Sequence, residues 1–252
     1  MTNPPWDSQY YSRRAAGARR SADTLLAHLW SYYSARSVMD IGCGDGSWLR
    51  AAGALGAHEL WGIEGTWHDQ ESFAQAGITL VTKDLNLPFA LDRTFDLAMS
   101  LEVAEHLQPS AGIRLVEALT ASAPVVLFSA AQPLQGGVGH INELPASYWA
   151  SIFRARGYVC LDLFRPVLWG LPDVDVWYAQ NSFLYVAEGD VHQLFDDHVV
   201  ASASIPPAFM DCIHPSLMMN TLANHTGFRH HCRDLIPSAF RALKRRVSGN
   251  PR

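Results

Sequence analysis

The segment from residue 38 to residue 48, VMDIGCGDGSW, carries three glycines at alternate positions, Gly42, Gly44 and Gly46. A short apolar run precedes the glycines and a helical pattern follows them. Glycine permits backbone angles that other residues avoid, and it leaves no Cβ between the chain and a ligand. The first turn of a helix also offers unpaired N–H groups. The loop is therefore predicted to hold a ligand closely against bare backbone.

The spacing of these glycines argues against a dinucleotide as the ligand. A dinucleotide-binding loop has the pattern G-x-G-x-x-G, whereas here Gly46 comes one residue early and Ser47 stands where that pattern has glycine. The carboxylate of Asp40 would repel a pyrophosphate but attract an ammonium group. S-adenosylmethionine carries such a group, and we expect it to be the ligand. A glycine-rich turn with only a structural purpose is the alternative.

Two further acidic residues follow the next two apolar runs. Glu64 lies about twenty residues beyond the loop, where a carboxylate can accept hydrogen bonds from both hydroxyls of a ribose. Asp84 is placed to accept a hydrogen bond from the amino group of adenine, and the backbone of Leu85 then faces a ring nitrogen. Together these residues indicate a ligand that contains a nucleoside.

Alternating strands and helices are needed to bring these residues together. Buried strands are predicted over the apolar runs 37–41, 59–63, 78–81, 95–100 and 125–129. The helices predicted between them are 47–55, 69–75 and 110–121. This alternation predicts an α/β, Rossmann-like, doubly wound and mostly parallel sheet, whose ligands bind beyond the carboxyl ends of the strands.

The sequence divides into three predicted parts. Residues 1–35 are expected to form a helical appendage or lid, with a helix that begins near Ser21 or Asp23. Residues 36–189 form the cofactor-binding domain, completed by a helix near 145–156 and by strands at 158–164 and 182–186. Residues 190–252 are a C-terminal extension with no clear hydrophobic period apart from a helix at 238–246.

The residues 40–46, Glu64, 84–85 and 95–107 resemble, in order, the motifs of class I S-adenosylmethionine-dependent methyltransferases. The resemblance spans about residues 38–129. It implies one role for each motif: the methionine part of the cofactor is held by Asp40, Gly42, Gly44 and Gly46, the ribose by Glu64, and the adenine by Asp84. The predicted cofactor pocket also includes Leu85, Leu101 after the fourth strand, and Tyr11, which closes over the cofactor as part of an N-terminal lid.

A looser resemblance extends to about residue 186. The segments 139–143, 148–149, 165–166 and 177–181 are similar to those of methyltransferases that accompany glycan and natural-product assembly. This resemblance implies a small-molecule acceptor, and we expect O-methylation of a sugar or a secondary metabolite. N-methylation of a small molecule, an NAD-dependent oxidoreductase and a non-catalytic nucleoside-binding module are the alternatives.

His140, His106 and Glu143 are the candidates for the chemistry of methyl transfer. Transfer from a sulfonium is an in-line displacement that depends on alignment, and a base assists when the acceptor is a hydroxyl. His106 follows the fourth strand, and His140 and Glu143 follow the fifth, so that all three should face the methyl group. A histidine can take the hydroxyl proton. The alternative for these three residues is that they cap a helix or pack near its end. Glu102 and Glu105 either bind substrate or occupy solvated helix positions.

Composition limits the partners and the compartment. A net charge of -5 and a pI near 6.1 disfavour nucleic acid, whose binding depends on clustered cations. The four cysteines include no CxxC pair, which suits reduced thiols, and the sequence shows neither a signal-peptide pattern nor a membrane-spanning apolar run. We expect a cytoplasmic protein with a small-molecule substrate and no metal, since the C-terminal histidines lack i, i+4 spacing. The sequence leaves the oligomeric state open.

Overall fold

The computed structural model describes residues 8–66 and 70–224, without the side chains of residues 8–14 and 222–224. The chain forms two compact units, Met1–Cys212 and Ile213–Arg252. In the described residues no helix is both long enough and apolar enough to cross a lipid bilayer.

Seven strands form one sheet in the first unit. They are β1 (Ser37–Ile41), β2 (Glu59–Glu64), β3 (Ile78–Thr82), β4 (Leu97–Leu101), β5 (Val125–Ser129), β6 (Tyr158–Leu161) and β7 (Phe183–Ala187). Their order in the sheet is β3-β2-β1-β4-β5-β7-β6, and β7 alone runs antiparallel to its neighbours. The predicted Rossmann-like, mostly parallel sheet is confirmed. Because the chain continues from β1 to one side and returns at β4 to the other, the strand order reverses between these two strands, where such sheets bind ligands.

The described residues form ten α-helices, nine in the first unit and one in the second. They are α1 (Ser8–Trp30), α2 (Ser47–Ala54), α3 (Gln70–Gln75), α4 (Pro109–Ser122), α5 (Ala146–Arg154), α6 (Arg165–Leu168), α7 (Val176–Asn181), α8 (Val191–Leu194), α9 (Asp197–Ala203) and, in the second unit, α10 (Pro215–Asn224). Two short 3-10 turns lie at Ala104–His106 and Pro207–Phe209.

The helices cover both faces of the sheet. On one face α1 and α2 contribute to a core with Leu25, Leu29 and Leu49, and on the other α4 and α5 contribute to a second core with Leu115 and Phe153. Side chains along the buried strands alternate between these two cores, as the period of a strand requires. Both cores lie within the first unit, which extends past the predicted boundary at residue 190 and includes α8 and α9.

Helix α1 begins well before the predicted start near Ser21. Its buried residues Ala22, Leu25, Leu26 and Leu29 recur at the spacing of one helical face and are fully buried. The earlier turns, with the sequence SQYYSRRAAGARR, have no such apolar period, so hydrophobic pattern alone could not locate the helix start.

A buried ion pair ends strand β6 three residues earlier than predicted. Asp162 and Arg165 are 6% and 7% exposed, and Asp162 Oδ2 accepts hydrogen bonds from Arg165 Nε at 3.0 Å and Nη2 at 2.9 Å. The same guanidinium donates to the carbonyl of Met210 at 3.0 Å and lies over the ring of Phe183. The pair thereby ties the end of β6 to the segment before residue 212 and to β7.

We expect Asp162→Ala to lower the free energy of unfolding by about 3–5 kcal/mol, because it leaves a buried guanidinium without its counter-charge. The matched control is Glu117→Ala, which removes the half-exposed partner of Arg156 and should cost less than about 1 kcal/mol. Urea denaturation of both variants checks the difference. Equal losses would show that the buried pair is not a principal support of this part of the fold.

Candidate functional site

The glycine loop leaves β1 and enters α2 with three residues in the left-handed region of backbone conformation. Gly42, Gly44 and Gly46 have φ angles of 81°, 56° and 77°, which only glycine adopts without cost. A Cβ on Gly42 would lie 2.4 Å from Val103 Cγ2. Gly42 is therefore required both by its backbone angle and by the approach of the segment that follows β4.

Asp40 lies in β1, immediately below the glycine loop, and is 1% exposed. Its Oδ1 atom has no hydrogen-bond partner among the described residues. Burial, followed by the negative charges of Glu64 and Asp45, raises the pKa of Asp40 well above its ordinary value. A buried carboxyl oxygen without a partner lowers the stability of the fold unless a hydrogen-bond donor or a cation contacts it. The site around Asp40 thus fits the positively charged group of a ligand.

Glu64 ends β2 and joins the glycine loop directly. Its Oε2 accepts the N–H of Gly44 at 2.9 Å and its Oε1 accepts the N–H of Gly65 at 2.9 Å. Burial raises the pKa of Glu64, whereas these two hydrogen bonds act in the opposite direction. A carboxylate has about four lone-pair positions, so Glu64 can shape the loop and still accept hydroxyl groups of a ligand.

Asp84, Leu85 and Leu101 lie at the same edge of the sheet as Glu64. The N–H of Lys83 donates to the Glu64 carbonyl at 2.9 Å, which places the turn that holds Asp84 beside Glu64. Asp84 is exposed and its Oδ1 accepts the N–H of Asn86, while Leu85 is half-buried. Leu101 is buried at the end of β4. Tyr11 lies in α1, but its side chain is outside the described part of the structure.

Glu102, directly after β4, has a φ angle of 56°, which is rare for a residue other than glycine. Its N–H donates to both the carbonyl and the hydroxyl of Ser129, each at 3.1 Å, and these bonds hold the unusual backbone. Its carboxylate accepts hydrogen bonds from Asn181 and Gln135, each at 3.0 Å. Such strain is often found at functional sites. Here the Glu102 carboxylate joins a hydrogen-bond network with Gln135 of the loop after β5 and Asn181 at the end of α7.

Glu105 is a buried acidic group next to Glu102 and the backbone of Ala131. It is 1% exposed, lies in the 3-10 turn after β4, and neither carboxyl oxygen has a hydrogen-bond partner among the described residues. Burial, followed by the charge of the neighbouring Glu102, raises the pKa of Glu105 well above its ordinary value. Glu102 and Glu105 therefore do not occupy the solvated helix positions that were the alternative for them.

The three predicted catalytic residues lie together. The rings of His106 and His140 meet edge to face, with their centroids 4.7 Å apart. Nδ1 of His140 lies 2.8 Å from Oε1 of Glu143. Glu143 also accepts the N–H of Gly136 at 2.7 Å and that of Leu134 at 2.9 Å. The loop after β5 thus fixes the orientation of the His140 ring through Glu143.

Sequence reasoning missed Gln135 and Asn181, which complete the Glu102 network. Asn181 donates to Gln135 Oε1 at 2.9 Å as well as to Glu102. Gln135 belongs to none of the quoted motifs, and Asn181 ends the segment 177–181, whose looser resemblance assigned no role to this amide. The antiparallel pairing of β7 with β5 brings Asn181 to this edge, and the local sequence does not indicate that placement.

The sequence and the fold were compared with those of known proteins. Residues 13–163 match the model of a family described as "Methyltransferase domain". A chain from the complex of a methyltransferase with the Trm112 activator of Haloferax volcanii has 16% identity and a TM-score of 0.53, with 74% of this chain and 99% of that chain covered. The sugar N-methyltransferase KedS8 of Streptoalloteichus sp ATCC 53650 has 16% identity and a TM-score of 0.50, with 71% and 91% covered. At these identities the likenesses show the fold. No curated protein matches the sequence.

We expect Gly42→Ala to destabilise the protein more than Gly56→Ala. Both positions have a positive φ angle, which costs a residue with a Cβ about 1–2 kcal/mol, but only Gly42 faces a neighbour, whereas nothing lies within 4 Å of a Cβ on Gly56. Adding Val103→Ala to Gly42→Ala should remove the clash. The double variant is then expected to lose less thermal stability than the two single variants lose together. Strictly additive losses would show that the contact with Val103 does not limit the substitution.

Proposed function

The chain belongs to the methyltransferase domain family, and with that as premise we propose that it transfers the methyl group of S-adenosylmethionine to a hydroxyl oxygen of a small molecule. A sugar or a hydroxylated secondary metabolite is the acceptor that we favour. The observation that carries the proposal is the contact between Gly42 and Val103. This contact places the glycine loop next to the segment that contains Glu102, Glu105 and His106. The proposed site of the methyl donor therefore adjoins the proposed site of the methyl acceptor.

The residues present fit S-adenosylmethionine. Asp40, whose Oδ1 lacks a partner among the described residues, receives the ammonium group of the methionine part. Glu64 accepts hydrogen bonds from the ribose hydroxyls, and Asp84 with Leu85 contacts the adenine. Gly44 gives the cofactor a loop without a side chain next to Glu64, whereas the absence of a Cβ on Gly46 makes room for the ring of Phe73. When bound, the cofactor supplies a methyl group on a sulfonium, which departs as a neutral thioether.

The acceptor binds at the cluster of the buried Glu105 and the half-buried His106 and His140. In-line attack requires only that the acceptor atom, the methyl carbon and the sulfur be aligned, and that the acceptor have a free electron pair. A carboxyl-rich site would bind an amine in its protonated form, which has no free electron pair. A hydroxyl, in contrast, can lose its proton next to imidazoles and carboxylates, and this chemistry favours oxygen over nitrogen.

A small molecule suits the charge of the protein better than a nucleic acid. The net charge of -5 disfavours a polyphosphate backbone, and the groups proposed to face the acceptor include two buried carboxyls. The sugar N-methyltransferase of similar fold acts on a sugar. That likeness supports the sugar class only as an analogy of fold, so the acceptor has to be identified by experiment.

Asp40→Asn and Glu64→Gln should each weaken binding of S-adenosylmethionine at least about tenfold, equivalent to about 1.4 kcal/mol. Because burial raises the pKa of Asp40, its carboxyl lowers the stability of the folded state at every pH above the pKa of an unfolded aspartate. Asparagine does not ionise, so Asp40→Asn should retain or raise the melting temperature near neutral pH. Calorimetric titration with S-adenosylmethionine and its demethylated product measures the affinities. The exposed Asp92 gives the control Asp92→Asn, which should bind like the unmodified chain. Undiminished binding in both site variants would rule out the proposed cofactor contacts.

Incubation with S-adenosylmethionine and a panel of sugars, nucleotide sugars and phenols tests the acceptor class. We expect acceptor-dependent release of the demethylated cofactor and a product whose added methyl group is on oxygen, as judged from the carbon chemical shift of an isotopically labelled methyl. Methyl groups found only on nitrogen would contradict the O-methylation proposal while leaving the donor assignment intact.

A further inference from the structure

Three potential ligand atoms converge at the acceptor end of the site. Glu105, His106 and His140 each offer one, and these atoms all lie within 4.8 Å of one another. Two of the residues come from the 3-10 turn after β4 and the third from the loop after β5. Ligand atoms that lie about 2.0–2.2 Å from one metal ion are about 3 Å from each other. Side-chain movements of less than about 2 Å would therefore bring the three ligand atoms to the distances that one ion requires. We propose that these three residues bind a divalent metal ion of the first transition series.

The state of Glu105 supports this proposal. The side chain is 1% exposed, and its two oxygens have no hydrogen-bond partner among the described residues. The groups that face it include the carboxyl of Glu102, the two imidazoles and the backbone N–H of Ala131, none of which carries a fixed positive charge. Buried carboxyls are normally paired or bound to a metal. A cation between Glu105, His106 and His140 would provide the missing partner and would also offset the neighbouring charge of Glu102.

The ring of His140 is held as a metal-binding histidine is usually held. Its Nδ1 lies 2.8 Å from Oε1 of Glu143, so Nε2 is the ring nitrogen that remains for a metal. Carboxylates that bind the second nitrogen of a histidine in this way orient the ring and increase its basicity toward a metal. Gly137 contributes as well, because a Cβ at that position would lie 2.1 Å from Nε2. The position of the ring therefore depends on Glu143 and on the absence of a side chain at residue 137.

The ligand set indicates the class of ion. Imidazoles suit zinc, iron, nickel and copper, whereas carboxylates suit magnesium, calcium and manganese. Two imidazoles and one carboxylate favour ions such as Mn²⁺, Co²⁺ or Zn²⁺ over Ca²⁺. The sequence predicted no metal because its C-terminal histidines lack the i, i+4 spacing of two ligands on one helix. Here the ligands come from two loops that only the parallel pairing of β4 with β5 brings together.

A chemical role for the ion follows if the proposed O-methylation is correct, and this step rests on that proposal. A metal ion lowers the pKa of a bound hydroxyl and fixes its oxygen in place. The hydroxyl proton leaves to water, the new O–CH3 bond forms as the S–CH3 bond breaks, and the electron pair of that bond stays on sulfur. His140 is then a metal ligand and not the proton acceptor that its sequence position first indicated.

Metal binding can be measured without any acceptor. The full chain is freed of metal with a chelator and titrated with Mn²⁺ alone, and free Mn²⁺ is followed by electron paramagnetic resonance. We expect one ion per chain. Glu105→Gln and His140→Gln should each weaken binding by more than about tenfold, and Glu143→Gln by about 10–100-fold, the range found for carboxylates that orient metal-binding histidines.

A matched control distinguishes this site from adventitious binding. His192 forms the same kind of histidine–carboxylate pair with Asp197 at 2.7 Å, but its side chain is 65% exposed, so His192→Gln should leave Mn²⁺ binding unchanged. An ion that survives both Glu105→Gln and His140→Gln would lie elsewhere, for instance at His225, His230 or His231, and would overturn the proposal. No ion bound by the unmodified chain would overturn it as well, whether or not the variants fold.

Titration of the same metal-free samples with the demethylated cofactor separates this inference from the proposed function. Cofactor binding without metal binding overturns the metal site and leaves the methyltransferase proposal in place. Metal binding that depends on Glu105 and His140, without cofactor binding, keeps the metal site but contradicts the proposed function. Retained cofactor affinity in Glu105→Gln shows that loss of the ion in this variant is not caused by unfolding.

Discussion

The parallel pairing of β1 with β4 determines where the rest of the site can lie. Asp40 is opposite Met99 in this pairing, and the hydroxyl of Ser100 donates to the carbonyl of Ile41 at 2.8 Å. Because β2 and β5 lie on opposite sides of this pair, the loops after β1 and β4 leave the sheet next to each other. The contact of Val103 with Gly42 follows from this arrangement. One strand pair thus brings the proposed donor and acceptor sites together.

The second constraint is the burial of acidic groups. Asp40 and Glu105 each carry carboxyl oxygens with no partner among the described residues, and both are 1% exposed. Burial without compensation lowers the stability of a folded chain. A bound ligand that supplies the missing partner stabilises the folded state, and the stabilisation grows with the logarithm of the ligand concentration relative to its Kd. The arrangement is therefore unfavourable for the protein alone and becomes favourable once charge of the opposite sign is present.

The sequence was sufficient for features that depend on local chemistry. Apolar runs located β1, β4 and β5, which are buried on both faces, and also the less buried β2 and β3. The spacing of Gly42, Gly44 and Gly46 indicated the loop before α2. Features that depend on distant partners could not be predicted in this way. The positive φ of Glu102 is held by Ser129, and Glu102 is paired with Asn181 across the sheet. The direction of β7 is likewise set by its neighbours, since an apolar run predicts a strand but not its orientation.

The position of β7 has a consequence for how the chain is made. β6 pairs only with β7, and β7 in turn separates it from β5. While the ribosome has completed residues only up to about 163, where the family match ends, β6 has no strand to pair with and the edge of β5 is open. The sheet can be closed only after Ala187 has emerged. The end of the family match at residue 163 is therefore not the end of a folding unit. A fragment that stops there would expose the strand edges of β5 and β6, and exposed strand edges promote aggregation.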